Sequence, residues 1–72
     1  MDQAIIVEPD ANGWVVRSAF DNEMFFRSGG RAELAARDLA ARLASPEVTV
    51  VVDVFLRDGS LGGRYVHTGR AG

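Results

Sequence analysis

The sequence predicts an α+β fold: a single antiparallel β-sheet, built in the order β-β-β-α-β-β, with one helix packed on one face. Three observations predict it. From Val48 to Arg57 the side chains alternate, with Val48, Val50, Val52, Val54 and Leu56 on one side and Thr49, Val51, Asp53, Phe55 and Arg57 on the other, the period of a strand. Ala32, Ala35, Ala36, Leu39, Ala40 and Leu43 recur with the 3.6-residue period of a helix. Asn12-Gly13 supplies residues that tolerate the positive φ of a tight hairpin.

Each element has its own warrant. Gln3 to Glu8 is mostly apolar and β-branched, and Pro9 closes it. Trp14 to Phe20 is a second strand. Trp14, Val16, Ser18 and Phe20 share one of its faces and Val15, Arg17 and Ala19 the other. Both faces carry apolar groups, so either could meet the helix. Asp21-Asn22 turns the chain into a short third strand, Glu23 to Arg27, which completes a meander. Ser28-Gly29-Gly30 breaks the strand pattern, and the helix runs from Arg31 to Ala44. Ser28 or Gly30 is the expected N-cap, with Glu33 near the positive end of the helix dipole. Glu33–Arg37 and Asp38–Arg42 are acid-before-base pairs at i,i+4, each worth about 0.2–0.5 kcal/mol. Ser45-Pro46 ends the helix, because a residue before proline avoids the α region. Asp58-Gly59 turns the long strand into Leu61 to Thr68, which Gly62-Gly63 weakens. The expected ordered core spans about residues 3–68 of a single domain over 1–72, with a frayed polar tail at 69–72. The predicted buried set is Ile6, Trp14, Val16, Phe26, Leu39, Leu43, Val50, Val52 and Val54.

Composition narrows the function classes. A 72-residue chain is a marginal domain alone, and small domains add disulfides, metals or a second subunit. Cysteine is absent and there is a single histidine, which argues against disulfides and structural zinc. A homo-oligomer, a dimer first, is therefore the expected partner. Net charge is −2, unlike the basic footprint of a general polyanion binder. All eight cations are arginine, which GC-rich coding explains more simply than planar phosphate or carboxylate recognition. No apolar run approaches a membrane span, and the start of the chain reads as no signal peptide. The expected location is cytoplasmic.

The opening strand near Pro9, Gly13-Trp14-Val15-Val16, the alanine-rich helix from Ala32 to Ala44 and the valine strand ending in Arg57-Asp58-Gly59 resemble the small bacterial domains grouped as domain of unknown function 2188. The resemblance covers about residues 4–66. The family carries more lysine and a plainer second hairpin than this chain. The resemblance implies a β-β-α-β-β core and no activity, so no catalytic residue carries over.

No candidate chemistry has supporting context. His67 lacks a spaced nucleophile and orienting acid. Gly29-Gly30, between Arg27 and Arg31, could offer N–H groups to an anion but is more simply a strand-to-helix turn. Asp53, inside an apolar strand, needs a partner, with Arg17 or Arg64 the candidates. A metal site would need more oxygen ligands around it. Neither catalytic residues, a cofactor nor a metal is expected. The second sheet face is where function is expected, since one alanine helix cannot cover five strands. The expected partner face is Val51, Phe55, Arg57, Tyr65 and His67. The favoured reading is a non-catalytic module that self-associates through that face. The alternative is single-stranded nucleic acid, with Phe55, Tyr65 and Trp14 stacking bases and Arg17, Arg57 and Arg64 holding phosphates. The acidic balance disfavours it.

Overall fold

The computed structural model describes residues 2–18 and 23–69. The expected strand end at Ala19 and Phe20, the Asp21-Asn22 turn and the tail beyond Gly69 lie outside the described residues. The elements are β1 (Asp2–Asp10), β2 (Gly13–Ser18), β3 (Met24–Phe26), α1 (Gly29–Leu43), β4 (Thr49–Phe55) and β5 (Leu61–Thr68). They form one helix and a five-stranded sheet in the order β3-β2-β1-β4-β5. The α+β class is as the sequence predicts.

The sheet is mixed rather than antiparallel. β1 pairs with β4 in parallel, while β1–β2, β2–β3 and β4–β5 are antiparallel. Strand direction alternates through the meander, and α1 then returns the chain across the sheet. β4 therefore runs the same way as β1 and β3. Of the meander strands only β2 runs opposite to β4, and both edges of β2 are taken by β1 and β3. Tight turns force antiparallel neighbours, whereas a helical crossover permits a parallel one.

The first hairpin differs in detail. Asp10 pairs with Gly13, so the loop is Ala11-Asn12, and among the described residues none other than glycine has positive φ. The Asp10 carboxylate accepts a hydrogen bond from the Asn12 N–H at 2.7 Å, an Asx turn. The positive φ falls on Gly13 alone, and a Cβ there would run into the Phe26 carbonyl. β1 also continues through Pro9. That residue lies past the last β1–β4 pair, Val7 with Val54, where one side of the strand has no ladder to satisfy.

The core lies between α1 and one face of the sheet. Ile5, Val7, Val16, Val50, Val52 and Val54 are buried against Ala32, Ala36 and Ala40. Trp14, Phe26, Leu39 and Leu43 pack around them, partly exposed. The three buried alanines sit one turn apart, so the helix backbone lies close to the valines. Ile6 is a correction: Ile5 and Val7 face the helix and Ile6 faces away, beside Arg17 and Asp53. Ile5-Ile6-Val7 is apolar on both faces, so alternation alone cannot orient it. Ser28 is the N-cap, accepting from the Arg31 N–H at 3.2 Å. Gly29 meets the Trp14 ring so closely that a Cβ would lie 2.9 Å from it.

Candidate interaction surface

Cross-strand register fixes the second face of the sheet. Ala4, Val51 and Val66 lie side by side across β1, β4 and β5. One level along come Arg17, Ile6, Asp53 and Arg64. A further level holds Phe25, Val15 and Glu8, continued by Phe55 and Leu61. No helix covers these residues. Phe25 is 66% and Val66 61% exposed, and Ile6, Val51 and Phe55 are half-buried by their neighbours. Val15 is the exception, fully buried on this face between Phe25 and Glu8.

The charges on this face are paired within the chain. Arg64 donates to both carboxylate oxygens of Asp53, at 2.6 and 3.3 Å, and this bond holds Arg64 above its ordinary pKa. Asp53 thus takes the second of its two expected partners. Arg17 bridges two acids, Glu23 at 2.6 Å and Glu8 at 3.1 Å.

Of the expected partner residues, Val51 and Phe55 lie on this open face. Tyr65 and His67 do not. They pair with Val52 and Val50, whose side chains face the helix. Tyr65 packs against the core and donates to Glu33, a bond that raises the phenol pKa above its ordinary value. Arg37 sits over the Tyr65 ring at 4.3 Å. The register of the second hairpin decides this: the loop closes with Leu56 N–H on the Ser60 carbonyl, and a one-residue slip would invert every side chain of β5. Arg57 also leaves the open face, because β4 ends at Phe55. It reaches from the turn to the Asp10 carbonyl at 3.4 Å and stands 5.5 Å from the centre of the Trp14 ring. Trp14 itself belongs to the helix side. Ile6, Phe25 and Val66 belong to the open face and were absent from the expected set. Val66 was readable from its alternation with Tyr65, once that residue is placed inward.

An open cleft of about 360 Å3 lies at the end of β2 and β3, beside Trp14, Phe25 and Arg27. Asp10 is the one carboxylate lining it, so it offers no acid–base pair. No group of three or more His, Cys, Asp or Glu side chains able to hold a metal occurs among the described residues. No helix among them is long and apolar enough to cross a membrane.

No family model, curated protein or solved structure matches the chain.

Proposed function

We propose that this chain is a non-catalytic structural or interaction module that self-associates through its open sheet face, with a dimer as the basic unit. The observation that carries the reading is the apolar character of that face: Ala4, Ile6, Phe25, Val51, Phe55 and Val66 form one surface with no helix over it. Monomeric proteins rarely expose contiguous apolar patches of more than a few hundred Å2. Five strands about 4.8 Å apart, overlapping over about 20 Å, make a face of roughly 500 Å2. Two copies packed face to face would bury about 1,000 Å2, the lower bound for a stable specific interface. Asp53 and Arg64 enter such an interface as a neutral pair, and Arg17 enters shared between Glu8 and Glu23, which limits the cost of drying them.

A second copy fits this face better than single-stranded nucleic acid does. Trp14 and Tyr65 turn toward the helix, and Arg57 lies off the face. Arg17 and Arg64, the two arginines on the face, are engaged by carboxylates. Neutralised arginines leave little to release counterions from a phosphate backbone.

Light scattering behind a sizing column at low and high salt tests the proposal. The expected result is a dimer or larger species at both salts, because an apolar interface survives screening. A monomer at both salts overturns it.

A further inference from the structure

We infer that the two copies meet about a twofold axis running along β1 through Ile6, so that Arg17 faces the partner's Asp53 and Arg64 faces the partner's Glu23. This rests on the self-association proposed above and specifies its geometry.

One row of side chains sets the pairing. Across the open face at the level of Ile6, the order is Glu23, Arg17, Ile6, Asp53, Arg64. In sign this is acid, base, neutral, acid, base. Reversing the order inverts every sign and leaves Ile6 in place. Two isologous ways exist to lay this face on a copy of itself with strands aligned, as packed sheets prefer. An axis across the strands at the level of Ile6 keeps the order and sets Arg17 on Arg17 and Asp53 on Asp53. An axis along the central strand β1 reverses it, and each charge meets its opposite.

On the neighbouring level the four apolar positions agree, and Glu8 alone meets its like. The same axis lays Val15 over the partner's Phe55 and Phe25 over the partner's Leu61, apolar on apolar. It also brings Glu8 near the partner's Glu8, each held by its own Arg17. Sheets pack about 10 Å apart, a gap that an extended arginine spans to reach a facing carboxylate. Arg17 and Asp53 flank the axis directly and make the tighter contact. Glu23 and Arg64 lie further out, where sheet twist separates them.

The test reverses the whole row and removes the acid that Arg17 also holds: Glu23→Arg, Arg17→Glu, Asp53→Arg and Arg64→Glu, with Glu8→Gln, in one chain. The pairs within the row survive the change. Native mass spectrometry of this chain mixed with wild type reads the outcome. Both homodimers are expected, with mixed dimers depleted about tenfold or more below random mixing, since like charges then face each other. Mixed dimers at or above the random level overturn the axis while leaving self-association standing. A wild-type monomer before mixing instead sinks the self-association on which the axis rests. If the reversed chain fails to fold, Arg17→Glu alone and Arg17→Glu with Asp53→Arg give the same answer. The single change is expected to weaken the dimer about tenfold and the double change to restore it; equal dimerisation by both overturns the axis.

Discussion

The guanidinium of Arg37 sits 4.3 Å from the centre of the Tyr65 ring, and the Tyr65 hydroxyl donates to Glu33 one helical turn away. The two helix residues expected to pair with each other at i,i+4 instead hold the edge strand. This cation–π contact and the hydrogen bond tie β5 to α1 and keep the only tyrosine off the open face.

That arrangement predicts an unusual titration. Tyr65 is the sole tyrosine, so ultraviolet difference absorbance reads it directly. Its ionisation midpoint is expected above the ordinary value near 10.0. Glu33→Gln should bring it down, by removing the negative charge and weakening the acceptor, and Arg37→Gln should push it further up. Because the folded-state value is the raised one, the stability from this bond is present below about pH 10 and lost as pH climbs through the folded value. A midpoint at or below that of free tyrosine contradicts the account.

Two adjacent glycines at the helix start separate packing from propensity. A Cβ on Gly29 meets the Trp14 ring at 2.9 Å, whereas one on Gly30 meets nothing within 4 Å. Gly30→Ala is expected to stabilise by about 0.4–1 kcal/mol through the unfolded chain. Gly29→Ala is expected to destabilise by about 1–2 kcal/mol, overpacking outweighing the same gain. Urea unfolding followed by fluorescence of the single tryptophan checks both. Equal effects from the two changes would deny the contact.

The close approach of α1 to the sheet makes a similar demand at its middle. Ala36 is fully buried between the helix and the central valines. Ala36→Leu is expected to cost about 1–3 kcal/mol, read as a lower urea midpoint. An unchanged midpoint would mean that the helix sits further from the sheet.

Neutralised arginines predict weak contact with nucleic acid. Fluorescence anisotropy of a labelled single-stranded oligonucleotide is expected to show no saturable binding at micromolar chain in physiological salt. Binding that Arg17→Gln or Arg64→Gln weakened would favour the nucleic-acid reading.

Much of this fold is legible in local pattern. Val50, Val52 and Val54, and Ala32, Ala36 and Ala40, lie where strand and helix periods put them, because Thr49 and Asp53 on the strand, and Arg31 and Asp38 on the helix, interrupt the opposite side. Ile5-Ile6-Val7 is apolar throughout, so its orientation waits on which strand lies beside it. The parallel pairing of β1 with β4 is a non-local choice that no turn encodes. Tyr65 was misplaced for a related reason: its face depends on the β4–β5 register, which shifts between Val54 and Phe55 as Gly62 is passed over. The open face was legible at Val51 and Phe55, and the rest of it followed only from register.

The most direct measurement is sedimentation equilibrium of Val66→Asp beside the wild type, with circular dichroism to confirm folding. Val66 is 61% exposed in the single chain, so an aspartate there leaves the monomer folded. The account predicts a wild-type dimer and a folded Val66→Asp monomer at the same concentration. A variant that dimerises as well as wild type would contradict the claim that the open sheet face is the interface.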